Sequence, residues 1–189
     1  MGTKQVAAAE SLEQARSATD TEPSKAQQAA GNYKKGRLTW NGFTIAIENP
    51  KGSTRSGTNK AGKSWSTVMK HDYGYFEGII GRDKDHLDVF VGPHLDCELI
   101  HVVNQHDPAT GKFDEHKVVI GAMNAGEAGD VYLANYEQGW KGLGTTKAMT
   151  LDGFREWTKR GDLSKQAEIQ AYKQFRMLSS RPGELFPLF

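Results

Sequence analysis

Between Gly36 and Glu48 the chain carries its strongest topological instruction. Arg37-Leu38-Thr39-Trp40 and Phe43-Thr44-Ile45-Ala46-Ile47 flank the dipeptide Asn41-Gly42. Asn and Gly both tolerate positive φ, which a two-residue type I′ turn requires, so the pattern predicts a tight antiparallel hairpin. In its second strand Phe43, Ile45 and Ile47 fall on one face, and Thr44, Ala46 and Glu48 on the other. The folded part therefore begins as antiparallel β-structure.

Further strands are predicted at 87–91, stopped by Gly92-Pro93, at 98–103 and at 117–120, with Asp107-Pro108-Ala109-Thr110-Gly111 turning the chain between the last two. Helices are predicted over 127–136, after Thr150 as N-cap with Leu151, Phe154 and Trp157 at three-residue steps, and after Ser164 with Ile169, Tyr172, Phe175 and Leu178 on one side. Strands first and helices last give an α+β class: a small antiparallel β-barrel or sheet of about five strands with C-terminal helices against it. Composition changes near residue 31. Residues 1–30 contain no aromatic, and Val6 and Leu12 are their larger aliphatics, so they read as a flexible or helical arm too poor in apolar surface to join the core. Residues 31–180 form the expected domain. Residues 181–189 form a Pro/Gly-broken tail ending in Leu185, Phe186, Leu188 and Phe189.

Chemistry concentrates in Gly81-Arg82-Asp83-Lys84-Asp85-His86-Leu87-Asp88-Val89-Phe90-Val91. Carboxylates at i, i+2 and i+5 run straight into an apolar strand and repel one another when ionised. A hard divalent cation relieves that conflict, because Mg²⁺ takes oxygen ligands and shares a few carboxylates with substrate phosphates. A solvated acidic turn is the bland alternative.

Other motifs exclude more than they establish. Gly57-Thr58-Asn59-Lys60-Ala61-Gly62-Lys63-Ser64 satisfies the P-loop spelling, but loop-type residues precede it and no long amphipathic helix follows. A P-loop nucleotide binder is thus the weaker phosphate reading; a basic loop touching phosphate through Arg55, Lys60 and Lys63 is the other. An EF-hand started at Asp83 would have Asp88 where glycine is needed and His94 where glutamate is needed. The six histidines lack zinc-ligand spacing. With 24 basic and 23 acidic residues the net charge is +1, which points to neither sequence-specific nucleic acid nor membrane. The single Cys97 excludes an intramolecular disulfide framework. No apolar run approaches the length of a membrane span, and no signal core is evident, so a soluble, intracellular-type protein is expected.

The sequence resembles the soluble, Mg²⁺-dependent inorganic pyrophosphatases. Asp83-Lys84-Asp85-His86-Leu87-Asp88-Val89 is similar to their Asp-x-Asp-x-apolar-Asp-apolar signature. Tyr73-Gly74-Tyr75 precedes it at the family's spacing, and Ile47-Glu48-Asn49-Pro50 resembles the early strand ending in an acidic site residue. Asp107, Asp114-Glu115 and Lys117 resemble the second acidic cluster and phosphate-binding lysine, and Tyr136 with Lys141 the late phosphate contact. This resemblance implies hydrolysis of pyrophosphate or a related phosphoanhydride by a metal-activated water. It implies Asp83, Asp85, Asp88, Asp107, Glu115 and Glu48 as ligands of Mg²⁺ or Mn²⁺. Asp85, Tyr73 and Lys117 become the catalytic residues, and Arg55, Lys117, Tyr136 and Lys141 the substrate contacts. The sequence departs from the family at Lys84 and His86, and the Gly-rich 55–63 loop replaces a basic–aromatic–acidic strand.

A closer likeness is to the pyrophosphatase-like domains of bacteriophage and mobile-element polyvalent proteins, carried by Gly31–Gly36, Asp83–Pro93, Asp107–Gly121 and Tyr136–Gly144. It implies a bacterial-host cytoplasm and packaging in a virion. A rival role follows: an inactive virion or structural component, docking as a homo-oligomer or to particle proteins through 1–30 and 185–189. A second rival is hydrolysis of a nucleotide-like phosphoanhydride, if Trp65 and Trp140 flank the site and stack a base.

Overall fold

The computed structural model describes residues 3–58, 62 and 64–168. Strands β1 (Gly36–Trp40) and β2 (Phe43–Asn49) form the expected hairpin, with Trp40 opposite Phe43. Asn41 and Gly42 take φ values of 47° and 81°, the two positive angles of a type I′ turn. Strand β2 pairs antiparallel with β5 (Asp72–Ile80), and β5 with β6 (His86–Val91). The chain then skips one place. Strand β7 (Ile100–His106) leaves a gap that β8 (Phe113–Ile120) fills after the Asp107–Gly111 turn, so β8 lies parallel to β6 and antiparallel to β7. Strand β9 (Thr146–Met149) closes the far edge against β7.

The α+β class holds, with two corrections of detail. The main sheet has seven strands, in the order β1-β2-β5-β6-β8-β7-β9, and among the described residues it is open, not closed into a barrel. The skipped place introduces one parallel pair into a sheet expected to be antiparallel. The P-loop spelling is also resolved. Strands β3 (Thr54–Thr58) and β4 (Ser64–Val68) pair as a separate two-stranded ribbon, so Ser64 opens a strand where a P-loop needs a helix.

Alternation along the strands divides the interior into two layers. On one side Leu38, Ile45, Ile47, Phe76, Leu87, Val89, Val91, Val102, Val118 and Ile120 pack with Phe154 of α4 (Leu151–Arg160). On the other side Tyr73, Phe90, Val103 and Val119 meet Ala128, Val131 and Tyr132 of α3 (Ala125–Leu133). Thr150 caps α4, its side chain accepting from Gly153 N, and Asn124 caps α3 in the same way through Glu127 N.

The N-terminal segment does more than the sequence suggests. It contains α1 (Thr3–Ala18) and a short α2 (Lys25–Ala30), the latter closed by a Ser24/Gln27 capping box. Leu12 and Ala15 of α1 are buried in the α4-side core, contrary to the expectation that residues 1–30 stay out of it. The approach is close: a Cβ on Gly36 would lie 1.8 Å from the Ala15 carbonyl oxygen, so glycine is required there. Arg16 makes a two-pronged ion pair with Asp72 at 2.8 and 2.7 Å, and Thr19 donates to the Ile47 carbonyl while accepting from Gly36 N. The expected helix beyond residue 169 and the 181–189 tail lie outside the described residues. No described helix is long and apolar enough to cross a membrane.

Candidate active site

The side of the sheet that meets α3 also carries the polar chemistry, because alternation sends it there. With Leu87 and Val89 buried on the α4 side, Asp88 and Phe90 must point to the other. The parallel register sets Asp88 beside Lys117, and the antiparallel β7–β8 register sets Gln105 beside Glu115. Two odd-numbered positions of β8, Glu115 and Lys117, thereby share one face with Asp88 and Tyr73.

Lys117 is the centre of this cluster. Its side chain is only 5 % exposed, and its Nζ donates to Glu115 Oε2 at 2.8 Å and to Asp88 Oδ2. Burial works against the ammonium. Tyr73, Asp88, Tyr136 and Glu115 outweigh it, and Lys117 is held well above the ordinary lysine value. At neutral pH the carboxylates carry this effect, since burial pushes Tyr73 far up and Tyr136 up to about 12, leaving both phenols protonated. Glu115 is raised by burial, with Lys117 pulling it down and Asp88 and Asp83 pushing it further up. Glu48 is likewise raised by burial, against Lys35, whose Nζ lies 3.8 Å away, and with Asp88 adding to the rise.

Arg55 reaches into the same place from the ribbon. Its Nη2 donates to the Tyr73 hydroxyl at 3.1 Å, and its guanidinium lies 4.3 Å from the Tyr73 ring centre and 5.2 Å from that of Trp65. A cleft of about 480 Å³ opens here, lined by Arg55, Trp65, Glu115, Lys117, Tyr136 and Trp140 together with polar groups of β4 and of the chain following α3.

One contributor escaped sequence reasoning. Gln105, nearly fully buried, accepts from the hydroxyls of Tyr132 and Tyr136 at 2.7 and 3.0 Å and donates to Glu115 Oε1 at 2.8 Å. Trp140 Nε1 extends the chain by donating to the Tyr132 hydroxyl at 2.8 Å. Gln105 thus fixes the carboxylate that holds Lys117. Its signal in the sequence was faint: one of two adjacent amides at the polar end of β7, facing a glutamate across the Asp107–Gly111 turn.

The structure gathers Glu48, Arg55, Tyr73, Asp88, Glu115, Lys117 and Tyr136 around this face, and leaves the other expected residues further out. Asp83 and Asp85 lie on the exposed turn before β6, where Asp83 Oδ1 accepts from Asp85 N at 3.1 Å. Asp107 accepts from the amides of Ala109 and Thr110 and shapes the β7–β8 turn. Lys141 is exposed and does not line the cleft.

The donor chemistry fits a hard divalent cation. Glu48, Asp88 and Glu115 offer only carboxylate oxygens, and burial raises the two glutamates with the Asp88 charge adding to it, a conflict that a dication relieves. The assembly is not pre-formed, however: Lys117 sits between Asp88 and Glu115, and among the described residues no three acids, histidines or cysteines are gathered closely enough to hold an ion.

The arrangement defines an α+β sheet protein with a cleft lined by acids, the buried Lys117 and the half-buried Arg55. Comparison with known families agrees and is more specific. The family model for inorganic pyrophosphatase matches residues 25–159, well over half of the chain, and the chain belongs to the inorganic pyrophosphatase family. No curated protein matches significantly. No solved structure does either.

Proposed function

We propose that this protein hydrolyses inorganic pyrophosphate or a related phosphoanhydride at the Lys117 end of the cleft. The observation that carries this reading is the buried Lys117 ammonium, fixed by Asp88 and Glu115 beside the Arg55 guanidinium. An ammonium has three donors. Two go to the carboxylates, and the third remains for a phosphate oxygen. Arg55 adds a planar fork suited to a second phosphoryl group. The protonated Tyr73 and Tyr136 phenols stand beside them, with the Tyr136 proton given to Gln105 Oε1.

Asp83, Asp85, Asp88, Asp107, Glu115 and Glu48 would hold Mg²⁺ or Mn²⁺, an arrangement that requires both the 81–85 turn and the 107–111 turn to move toward Asp88. The chemistry such an ion would supply there is neutralisation of phosphate charge and a lowered pKa for the attacking water. Asp85 is the residue proposed to take that water's proton. Arg55 and Lys117 stabilise the charge that the departing phosphate gains as the bridging P–O bond breaks.

The test is phosphate release from pyrophosphate with and without Mg²⁺. Mg²⁺-dependent release is expected, and Lys117→Met should lower kcat/KM by about 100-fold or more, the scale of losing one preorganised charge-stabilising group. In parallel Mg²⁺ should raise the wild-type Tm, because an ion bound only by the folded state stabilises it, and Asp88→Asn should remove that gain. No phosphate release from the wild type with either Mg²⁺ or Mn²⁺ overturns the proposal.

A further inference from the structure

The cleft is larger and more aromatic than bare pyrophosphate needs. Pyrophosphate offers two phosphoryl groups and no apolar surface, yet the cleft measures about 480 Å³, within the range of sites for organic ligands. Its wall includes the rings of Trp65, Tyr136 and Trp140. These aromatics are not equivalent. Trp140 is committed to the protein: its ring stacks on Tyr136 at 4.6 Å and 10°, and its Nε1 donates to Tyr132. Trp65 has no such stacking partner among the described rings. It stands on the inward side of the ribbon with Arg55, Gly57 and Thr67, where the burial alternates along both strands.

Trp65 is also held in place. Its cross-strand neighbour is Gly57, and a Cβ there would lie 2.7 Å from the indole Cζ2, so the ring lies against bare backbone. The absence of a side chain at Gly57 lets the indole lie across the ribbon while it lines the cleft. Arg55 links the two ends of the site, with its guanidinium near both Tyr73 beside Lys117 and the Trp65 ring.

We infer that the preferred ligand is a nucleoside 5′-polyphosphate, with phosphates on Lys117 and Arg55 and the base against Trp65. This rests on the anhydride-hydrolysis reading above and narrows its substrate. Water would add at one phosphorus, the bridging P–O bond would break with its electron pair leaving on oxygen, and the water's proton would pass to Asp85. Stacking on an aromatic ring tolerates any base, so the class is set by the nucleoside and not by one base identity.

Two non-hydrolysable probes separate the claims: methylenediphosphonate, and adenosine 5′-(α,β-methylene)diphosphate, neither of which retains a P–O–P bridge. Their affinities are to be measured by calorimetry in the presence of Mg²⁺ on the full chain. The nucleotide probe should bind roughly tenfold or more tightly than the diphosphonate. Trp65→Ala should erase that margin and leave diphosphonate affinity unchanged. Gly57→Val, which pushes the ring off the strand without removing it, should also reduce the margin. Equal affinities in the wild type, or a margin that survives Trp65→Ala, overturn base recognition and leave pyrophosphate hydrolysis standing. An equal loss of both probes in Trp65→Ala also overturns it, showing that Trp65 acts only through Arg55. Failure of the wild type to bind either probe overturns both readings.

Discussion

At the scale of single residues, the site is a set of acids held against their ordinary behaviour. Glu48 is the clearest case, because burial is the main reason that its carboxyl is raised, and Asp88 adds to it against the pull of Lys35. The native state therefore keeps this proton to higher pH than the unfolded chain. Its contribution to stability is fully present below the ordinary carboxylate range and is lost as pH rises through the raised folded value. In metal-free buffer Glu48→Gln should accordingly have a higher Tm than the wild type at neutral pH, with the difference closing in acid. Thermal unfolding across that pH window, with chelator present, checks it; a variant less stable than the wild type at neutral pH would show that the Lys35 pairing outweighs burial. Lys117 runs in the same direction, but its window lies at alkaline pH, above the ordinary lysine value. The two effects are separable by titration range alone.

At the scale of elements, what was legible in the sequence follows from how each element buries itself. The β1–β2 hairpin, β6, β8, α3 and α4 carry their own signals: an Asn-Gly turn, apolar runs stopped by Gly-Pro, and capping residues ahead of an apolar face. Strand parity puts Asp88, Lys117 and Tyr73 on one face, whereas Asp83 and Asp85 precede β6 and parity says nothing of them. The ribbon was not legible, since β3 and β4 are rich in Ser, Thr and Gly and alternate only weakly; its run of glycines and lysines read as a loop. The docking of α1 against the sheet escaped for a related reason, a helical arm having been one of the two expected forms. The helix buries only Leu12 and Ala15 among its described side chains below the surface, and its anchorage is polar and distant in sequence, from Arg16 to Asp72 and from Thr19 to Ile47. Those attachments abut Tyr73 and Glu48, so the helix braces the strands that present both. Arg16 is partly exposed while Asp72 is almost fully buried, so removing the cation strands a buried carboxylate that, among the described residues, keeps a hydrogen bond from Lys51 N. Arg16→Ala should cost about 2–3 kcal/mol, somewhat below the loss for a fully buried pair. Adding Asp72→Asn should recover part of that loss by neutralising the stranded charge. Denaturant unfolding of the two variants measures this, and an Arg16→Ala loss below about 0.5 kcal/mol would return α1 to the status of a surface arm.

At the scale of the whole molecule, the seven-stranded sheet separates stability from chemistry by its two faces. The α4 side is a largely aromatic and aliphatic layer, with Asn104 and His116 as buried polar members, in which Phe154 meets Phe43 and Phe76 edge-on or tilted, with ring centres 5.4 and 5.3 Å apart. The α3 side starts from the same strands but replaces apolar positions with Asp88, Gln105, Glu115 and Lys117, and satisfies them through Tyr132, Tyr136 and Trp140. Substitutions on the two sides should therefore fail differently. Phe154→Ala opens a cavity in the packed layer and should lower unfolding free energy by roughly 3–5 kcal/mol, while KM for pyrophosphate stays within about twofold at a temperature where the variant is folded. Tyr136→Phe removes one hydroxyl from the Gln105 network and should cost only about 1 kcal/mol of stability. Because that hydroxyl also faces the cleft beside Lys117, the same change should lower kcat/KM by roughly tenfold. Unfolding and steady-state kinetics on the same two preparations decide the matter. If Phe154→Ala moves KM as far as Tyr136→Phe moves kcat/KM, the sheet transmits packing changes to the site, and the faces do not act independently.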